Sequence, residues 1–158
     1  FREEVSLPNG KIVPEYFGIE MPHYTSVFAV TEERRIMILR CYRHAIGEVT
    51  LTMPGGMIEK GEPSLEGIQR EFLEETGYKA KEWKQLGTFI GNSTRGCGTY
   101  HLFFATGAKS LQKPDSGDLE KLELLFWTPE EIGKVIDEKK VQSLDGLSML
   151  LLGLRCLK

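Results

Sequence analysis

A layered domain of the α+β or α/β/α kind is the fold class this sequence predicts. Three observations carry the prediction. The chain has 158 residues, the size of one ordinary domain. Short β-branched and apolar runs bounded by turn residues recur along its length, and each reads as a strand. Only two or three segments space their apolar residues at the helical period. Residues 1–20 read as a hairpin of their own and residues 21–158 as the main domain.

The elements follow in order. Arg2 to Leu7 and Lys11 to Glu20 alternate in part across Pro8-Asn9-Gly10, a turn sequence, and form the hairpin. Tyr24 to Thr31 and Arg35 to Tyr42 bracket Glu32-Glu33-Arg34 as a second antiparallel pair. Val49 to Met53 is a short strand running into Pro54-Gly55-Gly56. A helix comes next: Pro63 suits its first position, Leu65, Ile68 and Phe72 recur at its period, and Gly77 closes it. Strands are expected around Trp83 to Ile90, Thr99 to Thr106 and Leu122 to Trp127. Thr128-Pro129-Glu130-Glu131 has the form of a capping box opening a second helix, and Leu144 to Leu157 forms the last.

Composition narrows the function classes. Apolar residues are 41% and charged residues 27% of the chain, which excludes a disordered protein. A net charge of −3 argues against a broad nucleic-acid surface, which is normally basic. An anionic substrate stays open, because a bound cation reverses the local field. No apolar run reaches the roughly 18–20 residues of a membrane span. Cys41, Cys97 and Cys156 are odd in number and far apart, so no disulfide framework or zinc site is expected and the reducing cytoplasm is the default compartment. The chain opens at Phe1 rather than Met, so upstream residues, with any targeting signal, are expected to be missing from it.

Chemistry concentrates in Gly56 to Tyr78, GMIEKGEPSLEGIQREFLEETGY. On a helix, Glu71 and Glu75 are four apart and share a face, with Glu74 beside them. Like charges at that spacing repel, so the cluster calls for a cation. Arg70 reaches Glu74 at i+4, and Glu62 on the preceding loop is placed to reach Arg70 as well. Leu65, Ile68 and Phe72 are expected to turn the opposite face to the core. Clustered carboxylate oxygens suit Mg²⁺ or Mn²⁺, hard cations that also bind phosphate oxygens, and the segment holds no His or Cys for zinc. Metal-assisted hydrolysis of a phosphate anhydride is one reading; an acidic, solvated helix is the other. The full pattern decides between them, since nine specified positions recur by chance at a rate on the order of 10⁻⁸ to 10⁻⁷ in such a chain.

That pattern resembles the signature box of the Nudix hydrolases, G-x5-E-x7-R-E-U-x-E-E-x-G-U with U bulky and apolar. Every glycine and charged position matches; Phe72 and Tyr78 are aromatic where aliphatic residues are commoner. The resemblance implies an α/β/α sandwich and divalent-metal hydrolysis of a nucleoside diphosphate linked to another group. It makes Glu71 and Glu75 metal ligands, Glu74 a ligand or close neighbour, and the Gly55 carbonyl a further ligand. Glu62 and Arg70 lock the loop to the helix.

The flanks point within the family. Arg40-Cys41-Tyr42-Arg43-His44-Ala45 followed by Val49 to Gly56 resembles the corresponding run of ADP-ribose and nucleoside-diphosphate-sugar pyrophosphatases, and a weaker likeness continues through Val141 to Leu144. The resemblance implies that Arg43 binds a substrate phosphate, as a forked guanidinium can; an inter-strand ion pair is the alternative. Cys41 in place of Gln, Thr52 in place of a frequent Glu, and no Pro in Asn92 to Arg95 depart from the subfamily pattern. They widen the expected substrate from ADP-ribose to nucleoside-diphosphate sugars at large.

The resemblance implies a base for the attacking water on a loop just before a late strand; the candidate loop is QKPDSGDLEKLE from Gln112, with Glu120 the first choice, Asp118 and Glu123 alternatives to it, and solvated loop acids the other reading. Arg95 stands as a contact for phosphate or for a neighbouring subunit. Tyr16 and Phe17 stand as stacking partners for a base or as packing residues. His23, His44 and His101 are scattered and receive no catalytic role. The resemblance further implies a homodimer using the N-terminal hairpin. Two rivals remain: a Nudix hydrolase of nucleoside triphosphates or dinucleoside polyphosphates, and a non-catalytic nucleotide sensor, against which the intact box speaks.

Overall fold

A computed structural model describes residues 1–117 and 121–157. Strands β1 (Arg2–Ser6) and β2 (Ile12–Phe17) form a two-stranded antiparallel sheet, as the turn at Pro8-Asn9-Gly10 predicts. The elements that follow are β3 (Tyr24–Thr31), β4 (Ile36–Arg43), β5 (Glu48–Thr52), β6 (Gly55–Met57), α1 (Ser64–Thr76), β7 (Tyr78–Lys79), β8 (Glu82–Asn92), β9 (Cys97–Ser110), β10 (Glu123–Trp127), α2 (Pro129–Asp137) and α3 (Leu144–Cys156).

Among the described residues the main sheet has eight strands, with β10-β4-β3-β9-β7 as its path, β5 beside β4, β6 beside β3 and β8 beside β9. Only the β3–β9 pair, among those described, is parallel, so the sheet is mixed as expected. Its central strand shows why a layered fold forms. In β3, Val27 and Ala29 join Ile68 and Phe72 of α1 in one apolar cluster. Phe28 and Val30, on the alternate positions, join Ile132 of α2 and Met149 and Leu150 of α3 in another. A strand apolar on both faces needs cover on both. The result is the α/β/α arrangement.

Three local expectations are corrected. Pro63 caps α1 in extended conformation (φ −63°, ψ 139°) and the helix begins at Ser64. Leu65 is 41% exposed instead of buried, because the first turn of α1 carries it past the cluster that Ile68 and Phe72 enter. Glu75 is not opposite Ile68. Seven residues are close to two full helical turns, so it lies on the same side and is itself buried. Two short strands, β6 and β7, carry no signal in the sequence; at three and two residues they are too short to show a period. The capping box at α2 has both of its reciprocal bonds.

Candidate active site

The site is assembled where β6, the loop after it and α1 meet. β6 pairs with β3, setting Ser26 opposite Gly55 and Thr25 opposite Gly56. A side chain at Gly55 (φ +152°) would lie 2.2 Å from the Thr25 carbonyl oxygen, so only glycine permits this approach. At Gly56 a Cβ would lie 2.4 Å from the Glu71 carboxylate. The two glycines thus open a backbone cradle into which α1 directs its acids. Glu75 Oε2 accepts the Gly55 N–H at 2.7 Å, joining helix to strand directly.

Arg70 organises the rest. Its Nε and Nη2 donate to Glu62 Oε1 and Oε2, both at 3.0 Å, in a forked pair. Nη1 donates to Glu71 at 2.8 Å and to Glu74 at 3.3 Å, and Nη2 also reaches the Met57 carbonyl at 3.1 Å. Glu62 accepts the Glu59 N–H as well, closing the loop on itself. One guanidinium therefore offsets the repulsion among three carboxylates. The charge states follow: Arg70 hydrogen bonds hold the Glu62 carboxyl below its usual range, helped by the Glu59 N–H. The same bonds, Glu62 first, raise Arg70 above its ordinary value against the opposing effect of burial.

The far end of α1 is tied to the loop expected to carry the base. Gly77 closes the helix in left-handed conformation (φ 73°) and donates to the Leu73 carbonyl. Its own carbonyl accepts N–H groups from Leu111 and Gln112, and the Glu74 carbonyl accepts the Asp115 N–H at 2.8 Å. The sequence did not show this docking, whose signal was the glycine at the helix end. Asp118 and Glu120 lie outside the described residues. Glu123 opens β10, where Arg40 donates to it at 2.8 Å.

The remaining expected contacts are distributed more widely. Arg43 ends β4 opposite Glu48, exposed. Arg95 donates to the Phe17 carbonyl at 2.8 Å, and the Tyr16 hydroxyl donates to the Thr94 carbonyl, so both residues fasten the hairpin to the β8–β9 turn. Between that turn and α3 lies a cavity of about 650 Å³ lined by Phe89, Tyr100, Leu144, Asp145 and Leu151.

The donor chemistry around Gly55 and Gly56 fits a hard divalent cation: carboxylate oxygens from one helix face a backbone cradle, with no sulfur or imidazole among them. Among the described residues no three His, Cys, Asp or Glu side chains already enclose an ion. Glu71 and Glu74 instead lean on Arg70, and Glu75 on the Gly55 amide.

Comparison with known proteins bears on the family and the fold. The NUDIX domain family model matches residues 21–146. The chain is 30% identical over 140 residues to an ADP-ribose pyrophosphatase of Bacillus subtilis (strain 168), covering 88% of this chain and 75% of that protein. It is 28% identical, with the same coverage, to a methanol dehydrogenase activator of Bacillus methanolicus. A crystal structure described as an ADP compounds hydrolase superposes with a TM-score of 0.83 at 16% identity, covering 99% of this chain and 84% of that one. At that identity the superposition speaks for the fold.

Proposed function

The chain belongs to the NUDIX domain family, and from that premise we propose that it hydrolyses the diphosphate linkage of ADP-ribose or a related nucleoside-diphosphate sugar. The products are a nucleoside monophosphate and a sugar phosphate, one water being consumed. The observation that supports this most is the Arg70 knot: it holds Glu62, Glu71 and Glu74 together beside the glycine cradle that receives Glu75. The relative named an ADP-ribose pyrophosphatase supports the substrate class.

In this reading Glu71, Glu75 and the Gly55 carbonyl hold Mg²⁺ or Mn²⁺, with Glu74 as a further ligand or close neighbour. When bound, the ion neutralises phosphate oxygens and activates water. The chain's own residues do the rest. Glu62 and Arg70 keep the loop in register with the helix. Arg43 contacts a phosphate, and Arg95 or Tyr16 extends the substrate contact when the hairpin shifts. Glu120 takes the proton from the attacking water; Glu123, engaged by Arg40, suits that role less well. The 650 Å³ cavity offers apolar and aromatic walls to a nucleoside. Exposed Ile12, Phe17 and Ile19 suit the hairpin to pairing with a second copy.

The test is a panel of ADP-ribose, ADP-glucose, GDP-mannose and dGTP with Mg²⁺. AMP with ribose phosphate from ADP-ribose, or the equivalent products from a sugar nucleotide, is the expected result. Rapid release of pyrophosphate or orthophosphate from dGTP, with the sugars untouched, sinks it. The likeness to an activator protein favours one second reading, action on a partner enzyme; that reading gains if no member of the panel turns over.

A further inference from the structure

Two of the three histidines, far apart in sequence and without a part in the chemistry above, are brought together by the sheet. His23 immediately precedes β3, and His101 lies in β9, where Thr25 of β3 is its parallel neighbour and Thr88 of β8 its antiparallel one. His23 Nδ1 and His101 Nε2 stand 3.5 Å apart, at hydrogen-bond distance. The ring planes are 21° from parallel and the centroids 5.7 Å apart, so the rings meet head-on, edge to edge. On the far side of His101, Nδ1 is 3.2 Å from the Thr88 hydroxyl, which accepts in turn from Gln85 Nε2 at 3.3 Å. This chain of contacts orients the His101 ring with Nε2 toward His23.

Proton counting decides when such a contact holds. One facing nitrogen must carry a hydrogen and the other a lone pair. Two neutral rings meet that condition. So does a pair with one charged ring, since the added proton goes to the remote nitrogen of the donor ring. A second added proton puts a hydrogen on both facing nitrogens, and the bond becomes a repulsion between two cations. The charged groups beside the pair are Glu20, ahead of β3, and Glu59, Lys60 and Glu62 on the loop after β6, all bordering a cavity of about 1150 Å³. Glu62 is engaged by Arg70. The neighbours from β3, β8 and the start of α1 are the hydroxyl residues Thr25, Thr88 and Ser64. Burial, and then His23, holds His101 below its usual titration range.

We propose that His23 and His101 form an acid-released latch on the joint between the hairpin and β3 and on the loop that follows β6. The backbone carries the effect. The His23 carbonyl accepts the Ile58 N–H at 2.9 Å, one rung beyond the pairing of Tyr24 with Met57. Ile58 leads into the Glu59 to Glu62 turn. While the rings are bonded, His23 is held against β9 and the rung is kept. When both rings are charged they part, His23 moves out with residues 20–22, and the rung to Ile58 is lost. The pair resists a second proton, so its stabilisation is present in full above the ordinary histidine range and lost as pH falls through the lowered value. The latch rests on the sheet geometry and does not depend on the substrate proposed above.

The experiment follows the imidazole nitrogens of the full chain by two-dimensional ¹H–¹⁵N NMR from about pH 8 to about pH 5. His23 and His101 should titrate in two coupled steps, the second below the ordinary histidine range. In His23→Phe the remaining His101 should titrate in one step, above the second step of the pair. Amide exchange, corrected for its intrinsic pH dependence, supplies the structural readout. Protection of the Ile58 N–H should fall about tenfold across the second step in the parent and stay level in His23→Phe, while Phe103 in β9 keeps its protection. Independent titration of the two rings at ordinary values overturns the proposal. So does Ile58 protection that stays level while both rings become charged, or that falls together with Phe103. The parent titration and exchange need no substitution, so a variant that misfolds does not decide the matter.

Discussion

The α1 region and the N-terminal hairpin use the same kinds of contact to different ends. Around α1, Arg70 joins four partners within 13 residues of itself, and its side chain is 28% exposed. The hairpin meets the β8–β9 turn through Tyr16 and Arg95, across 78 positions of sequence, and its own ion pair, Arg2 to Glu15, is more than half exposed at both ends. Partly buried, forked charge pairs are strong and hold geometry; exposed pairs contribute roughly 0–1 kcal/mol. The difference teaches where rigidity is needed. The acids proposed to meet a cation sit on a locked helix, while the hairpin's described contacts with the β8–β9 turn are two exposed hydrogen bonds.

Substitutions sharpen the contrast. The largest effect is expected for Glu75→Gln, which keeps the shape but removes a negative oxygen from the cradle: kcat on the best substrate of the panel should fall by about three orders of magnitude. A melting temperature close to that of the parent would show that the fold survived. Next, Glu120→Gln should lower kcat by about a hundredfold or more with KM little changed. A near-parental kcat removes Glu120 from the mechanism and turns attention to Asp118.

Arg70→Ala leaves Glu62, Glu71 and Glu74 facing one another, and should cost about 2 kcal/mol after allowance for partial exposure. In a chain of this size that is a fall of about 4–8 °C in Tm. The knot also predicts a pH dependence with a definite sign. Glu62 is held below its ordinary range, so its stabilisation is present in full above that range and lost as pH falls through the lowered value. Acid titration of Glu62→Gln should therefore show a shallower loss of stability than the parent. The smallest effect belongs to the hairpin: Arg95→Ala should change stability by less than about 1 kcal/mol, yet speed proteolysis within residues 1–20. Equal effects of Arg70→Ala and Arg95→Ala on Tm would break the comparison.

Most strands were legible in the sequence because β-branched runs end at strong turn signals, and the α2 capping box was legible to the residue. The Glu62–Arg70 pair was legible too, because the loop joining them is short. The burial of Glu75 was not legible, for a different reason. Counting four residues from Glu71 put the two acids on one face, but counting seven from Ile68 would have put Glu75 at the edge of the core, and charge spoke against burial there. Its partner, the Gly55 amide, lies 20 positions back and arrives only through β6 pairing with β3.

By itself the sequence determined the layered fold, the carboxylate helix and the arginine that steadies it, all features written in local period and spacing. Tertiary structure alone decided which backbone the acids meet, that the loop after β9 docks on the end of α1, and that the hairpin rests on Thr94 and Arg95. It also decided that His23 and His101, scattered in the sequence, stand nitrogen to nitrogen. The reason is physical: strand pairing joins residues at any separation along the chain, and a parallel pair such as β3–β9 leaves no local signal of its register.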